Sequence, residues 1–278
     1  MTQQCIHLSL SVDELALCFS LVNSPAQGRA ILSETYGQLT ESEIQERLTS
    51  ASHSLLARKM VTITPEATVK LSPEIEWLLY PLLRYYRVIQ VMIMDSEGLP
   101  TITNIHLGTN HKFTAHRVEQ GVVHLLWHDD EGSLCPLIEE WLLPWKEMPV
   151  SLVQEIQNKE QRITLARLAE LQSFSMKEAQ RALVSDGISA LIASELAMDG
   201  TRSLKRGSIV FVDASPENIA NLDPAQAGPG ILFITGEKTT WIFAFEEVND
   251  AAIGQIAIGS LDAFRKVFQD FLQRHDAQ

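Results

Sequence analysis

The stretch Val88–His128, VIQVMIMDSEGLPTITNIHLGTNHKFTAHRVEQGVVHLLWH, decides the fold class. Four runs within it, Val88–Met94, Thr101–Leu107, Lys112–Val118 and Val122–His128, read as short strands. Between them stand Asp95-Ser96-Glu97-Gly98, Gly108-Thr109-Asn110 and Glu119-Gln120-Gly121. These are turn sequences, far shorter than the crossover of about a dozen residues that parallel strands need. The stretch therefore predicts an antiparallel meander.

Upstream, Ile6, Leu8 and Leu10 alternate with polar residues as a short strand does, and Ser11 with Glu14 forms a capping box. A helix should start there and run through Leu15 to about Val22. Thr40 and Glu43 repeat the device before a helix over Glu41–Arg58, whose stripe is Ile44, Leu48, Ser52, Leu55 and Leu56. Val61 and Ile63 then face Val69 and Leu71 across Pro65-Glu66-Ala67, the pattern of a β-ribbon. Pro73 opens another helix, buried through Ile75, Leu78, Leu79, Leu82 and Leu83, with Pro81 placed to kink it.

Downstream, Asp129-Asp130-Glu131-Gly132 closes the meander and Leu134–Leu143 reads as a short apolar helix. Pro144 and Pro149 mark the boundary between an N-terminal lobe, 1–148, and a C-terminal lobe, 149–278. The second lobe begins with helical sequence from Leu152 to Gln172. Ser175 and Glu178 then cap a long helix through Ala179, Leu183, Ile188, Leu191, Ile192 and Leu196, with one glycine inside. Strands follow at Ser208–Asp213, Gly230–Thr235 and Thr239–Phe245, the last two joined tightly by Gly236-Glu237-Lys238. A closing helix, Leu261–Arg274, carries Phe264, Val267, Phe268 and Phe271 on one stripe. Helix, antiparallel strands and closing helix thus occur twice. The expected fold is α+β, with two lobes of related topology and antiparallel sheets packed with helices.

The 278 residues are 45% hydrophobic and 21% charged, a globular balance with enough length for a sizeable core. Acidic residues outnumber basic ones 35 to 22, and the net charge of −13 repels a phosphate backbone, so nucleic acid is a disfavoured partner. Cys5, Cys18 and Cys135 have neither a pairing number nor a CxxC spacing, which fits a reducing compartment. Met1–Leu10 has no signal-peptide character and no window is apolar for the length of a spanning helix. The chain reads as cytoplasmic.

Catalytic and ligand motifs are missing. His106, His111, His116, His124 and His128 cluster in the meander, yet His111 and His116 point to opposite faces and no HxH or HExxH spacing pre-forms a ligand pair. No metal is expected. The acidic turns lack the ligand order of a calcium loop, and Gly228-Pro229-Gly230 precedes a strand where a phosphate cradle must open a helix. Neither Ser208 nor Cys135 has the neighbours of a nucleophile. No cofactor is expected and no enzyme activity is indicated.

Two layouts resemble known families. The stretch Ser42–Leu71, helix then Arg58-Lys59 then ribbon, resembles the end of a winged-helix domain, and a winged-helix regulatory or interaction protein is the alternative reading. Seven basic against nine acidic residues through Arg87 supply no basic face for it. The wider layout resembles the EspG family of type VII secretion chaperones. The resemblance rests on the Ser11-Val12-Asp13-Glu14-Leu15 helix and on Leu55-Leu56-Ala57-Arg58-Lys59-Met60-Val61 with its ribbon. It continues through Pro73-Glu74-Ile75-Glu76-Trp77-Leu78-Leu79, the meander, and a second lobe with Trp241 in a strand and a helix from Leu261. The chain departs from typical members in being rich in Ile, Gln and His where they are rich in Ala, Arg and Gly.

That resemblance implies a protein that catalyses nothing and holds a helical-hairpin secretion substrate along its central sheet and C-terminal helices. An acidic scaffold without catalytic motifs agrees with it, since an apolar groove can bury a client's stripe while net charge keeps the free protein soluble. Trp127, Trp241, Phe264 and Phe268 are the expected partner-binding residues, because tryptophan dominates interface hot spots. Core placement of the two tryptophans is the alternative.

Overall fold

The computed structural model describes residues 5–66, 68–213, 229–248, 251–257 and 259–273. Ala67, Gly228 and Arg274 therefore lie outside the described residues. The chain is α+β with antiparallel strand pairing, and it divides into two compact units, Met1–Val88 with Thr103–Gly132, and Ile89–Ile102 with Ser133–Gln278.

The first unit opens with strand β1 (Ile6–Ser11), helix α1 (Val12–Leu21), α2 (Pro25–Tyr36) and α3 (Glu41–Ala57). Ser11 accepts from the Glu14 amide while the Glu14 carboxylate accepts from the Ser11 amide, and Thr40 and Glu43 do the same for α3. Both capping boxes form as the sequence predicts. Ribbon β2 (Val61–Ile63) and β3 (Val69–Leu71) pairs Val61 with Leu71 and Ile63 with Val69. Helix α4 (Pro73–Leu83) continues two residues past Pro81.

The meander follows as β4 (Tyr85–Asp95), β5 (Pro100–Gly108), β6 (Lys112–Glu119) and β7 (Val123–Asp130). In the first unit the strand order is β1-β7-β6-β5. Leu8 and Leu10 on β1 share a face with Leu126 and His124 on β7, and that face packs on α1 and α4 through Leu15, Leu78 and Leu79.

The second unit contains α5 (Leu134–Leu142), α6 (Val150–Asn158), β8 (Arg162–Thr164), α7 (Leu165–Glu170), α8 (Met176–Ser185) and α9 (Ala190–Thr201). Strands β9 (Lys205–Asp213), β10 (Gly230–Thr235), β11 (Thr240–Val248) and β12 (Ala251–Ala257) come next, then α10 (Leu261–Gln273). The strand order is β4-β9-β10-β11-β12-β8. One face carries Leu232, Ile234, Trp241 and Phe243 against α7, α8 and α9, and Phe211 on the other meets Phe268 and Phe271 of α10.

Three sequence expectations need correction. Leu152–Gln172 is not one helix: β8 interrupts it, pairing Ile163 with Gly254 of β12, a partner too distant for a local pattern to reveal. The long helix after Ser175 is two helices. Gly187 takes φ +89°, a left-handed conformation that ends α8, and the Ser189 hydroxyl restarts the chain by accepting from the Ile192 amide. Helix α2 and strand β12 lay outside the expected elements.

Gly207 on β9 is a tight spot. A Cβ there would sit 1.9 Å from the Met92 carbonyl oxygen and 2.7 Å from the ring of Phe233, its cross-strand partner. Gly207→Ala must displace backbone, and a loss of about 1–3 kcal/mol is expected in urea unfolding. An unchanged midpoint would show that β4 and β9 yield freely.

A candidate partner-binding groove

Helix α7 starts where the Thr164 hydroxyl accepts from the Arg167 amide at 3.2 Å, which fixes the helix at the end of β8. Leu165 and Leu168 then lie three residues apart on one face. Leu168 is buried, while Ala169 and Gln172 remain exposed along the rim. Beside this helix, β4 offers Met92 and Met94 and β10 offers Leu232 and Ile234, each pair two residues apart and so on one face of its strand. With Arg206, Gly207 and Phe233 they line an open cavity of about 340 Å³ in the second unit.

The wall is apolar and soft. Two methionines supply side chains that repack around different occupants. Among the described residues Arg206 is the one charged lining residue and Gln172 the only other polar side chain. The Arg206 Nε and Nη2 lie 3.4 and 3.1 Å from the Met94 sulfur, and burial pulls the guanidinium below its ordinary value. Among the described residues the groove thus presents neither a nucleophile with its base nor a carboxylate pair. It can hold an apolar group and meet an acceptor at one point.

The four residues expected at a partner surface lie in different settings. Trp241 is fully buried, its indole Nε1 donating to Asp199 Oδ2 at 2.9 Å. Phe264 and Phe268 are buried as well, Phe264 beside Trp145 and Phe268 beside Phe211. Only Trp127 of the four is partly exposed, stacked on His7 with ring centroids 5.0 Å apart and approached by the Arg117 guanidinium at 5.2 Å. The structure brings none of these into the groove. Its lining residues carried little sequence signal, except that Met92 and Met94 alternate in one strand.

The meander histidines are gathered into pairs. His116 Nε2 lies 2.7 Å from His124 Nδ1, and their rings stack at 5.0 Å. His128 Nδ1 lies 3.1 Å from the Thr114 hydroxyl, which donates to the Leu78 carbonyl. Burial pushes His106 down to about 4 and His116 to about 3, with His124 and His106 adding repulsion at His116. Among the described residues no three His, Cys, Asp or Glu are disposed to hold a metal ion. Burial raises Cys18 and Cys135 to about 12, with Glu14 and Glu139 adding to it, so both thiols stay protonated at neutral pH.

Three arginines around α3 are engaged internally. Arg58 grips the Glu14 carboxylate at 2.9 Å and the Ser9 carbonyl, Arg47 pairs with Asp13 and covers the Tyr36 ring, and Arg29 pairs with Glu41. Burial alone would raise the Glu14 carboxyl, but the Ser11 amide, Ser54 hydroxyl and Arg58 outweigh it and hold it below the usual carboxylate range. Among the described residues no helix is long and apolar enough to cross a membrane.

No protein-family model matches the chain, and no curated protein matches it by sequence. Solved structures do. The Mycobacterium tuberculosis type VII secretion system chaperone EspG5, in complex with a PE25–PPE41 dimer, superposes over 95% of this chain and 96% of its own. The identity is 8% and the TM-score 0.56. The chain has an EspG-like fold.

Proposed function

We propose that the protein is a chaperone-like holder of another polypeptide, with no catalytic role. The observation that carries this reading is the likeness of fold over nearly the full length of both chains to a chaperone whose structure was solved with a protein dimer bound. The open apolar groove supports it, because a client can bury a stripe of side chains there at the i, i+3, i+4, i+7 spacing of an amphipathic helix. The client is a helical-hairpin polypeptide resembling a secretion substrate. Trp127, which is partly exposed, is a second contact in this proposal.

Capture on the tagged protein from cells of its source, followed by mass spectrometry and absorbance at the nucleic-acid band, tests the reading. The expected result is a small helical protein whose retention falls far less between about 50 and 200 mM salt than that of a phosphate-tracking interface, since burial of apolar surface is barely screened. Ala169→Trp, at an exposed rim position, should fill the groove and release it while leaving the melting temperature unchanged. Recovery of DNA with a steep salt slope, and of no such protein, would transfer the function to the winged-helix reading.

A further inference from the structure

Arg206 is the feature of the groove that a purely apolar client leaves unexplained. A guanidinium offers five N–H donors and its best partner is a carboxylate, whereas a thioether is a weak acceptor. Among the described residues its hydrogen bonds are the two to Met94, and no carboxylate pairs with it. Other arginines of this chain are treated differently: Arg29, Arg47, Arg58, Arg167 and Arg265 each pair with an acid, on a protein holding 35 of them. A half-buried cation left to a methionine sulfur in an apolar wall is an incomplete contact.

We infer that the groove receives a helical segment that carries an acidic side chain next to its apolar stripe, and that Arg206 selects it. The inference rests on the holder reading and names the chemistry of its client. Charge complementarity argues for the acid. The topology argues for the helix, because β9 and β10 are paired on both edges and leave no free strand edge in the groove floor for an extended peptide to join. A helix delivers apolar side chains as a compact cluster through i, i+3 and i+4, and a carboxylate one turn further stays on the same face.

The test uses the full chain and two fluorescein-labelled helical peptides of roughly 18 residues. Each has leucines at i, i+3, i+4 and i+7, and they differ only in Glu or Gln at i+11. Fluorescence anisotropy should show about tenfold tighter binding of the Glu peptide, the gain expected of a charge-assisted contact. Arg206→Gln should bind both peptides as the wild type binds the Gln peptide, and Arg206→Lys should keep part of the preference. On the wild-type protein alone, raising salt should weaken the Glu peptide and leave the Gln peptide unmoved, which reads the contact even if a variant misfolds. Equal binding of the two peptides, or a preference that survives Arg206→Gln, overturns the role of Arg206 and leaves the holder reading intact. Failure of both peptides to bind overturns the groove as a helix receptor together with the inference.

Discussion

Between pH 6.5 and pH 4.5 the first unit should lose several kcal/mol of stability. His106, His116, His124 and His128 all sit on the meander face that packs on α1 and α4, and burial lowers the pKa of each. In the unfolded chain they titrate near 6.5, so below that pH the unfolded state binds protons that the native state refuses. Stability therefore rises with pH through this window and levels off above it. For His106 and His116, held to about 4 and about 3, the loss by pH 4.5 is on the order of 3 kcal/mol each.

The geometry says where the proton would do most harm. The His116–His124 contact needs one neutral nitrogen to donate and the other to accept, and a second proton would set two cations 2.7 Å apart. His124 Nε2 and His106 Nδ1 are buried with no hydrogen-bond partner among the described residues, so neither has a nearby acceptor ready to stabilise a charged ring. Urea midpoints measured every half unit from pH 7.5 to 4.5 would check this. His116→Gln combined with His124→Gln keeps an amide contact and should make the curve shallower, with His106 and His128 keeping their share of the slope. A wild-type midpoint that stays level down to pH 4.5 would refute the assignment.

Local rules explain which parts of this fold could be read from the sequence. The meander was legible because Asp95–Gly98 and Gly108–Asn110 are turns whose chemistry acts within four residues. The Ser11, Thr40 and Ser175 caps were legible for the same reason, since each satisfies its orphan amide three residues away. Gly187 was misread because apolar residues recur on both sides of it, Leu183 and Ile188 among them, and a single glycine is tolerated inside a helical pattern. Helix α2 buries only Gly28 and Leu32, too little for a stripe. Strand β12, AAIGQIA, has weak strand propensity and forms because β11 and β8 flank it. The groove was out of reach for a deeper reason, since Arg206 and Met94 meet across 112 residues of sequence.

Trp241→Ala should be among the most damaging substitutions in the chain, lowering the unfolding free energy by about 3–5 kcal/mol. The indole is wholly buried in the core formed by Leu196, Ile234 and Phe243, and truncation leaves a cavity that the paired strands β10 and β11 cannot collapse to fill. A second cost is electrical. Trp241 donates its N–H to Asp199, a carboxylate that is 2% exposed and whose pKa burial raises, while that N–H and the Glu237 amide hold it down. Trp241→Phe separates the two effects: most of the packing stays, the donor goes, and about 1–3 kcal/mol should be lost. A carboxyl with a raised native pKa destabilises the fold above that pKa and is relieved as pH falls through it. The phenylalanine variant should therefore lose less, relative to wild type, at pH 5 than at pH 8. Equal losses at both pH values would mean that Asp199 is already neutral or solvated, and that the indole contributes through packing alone.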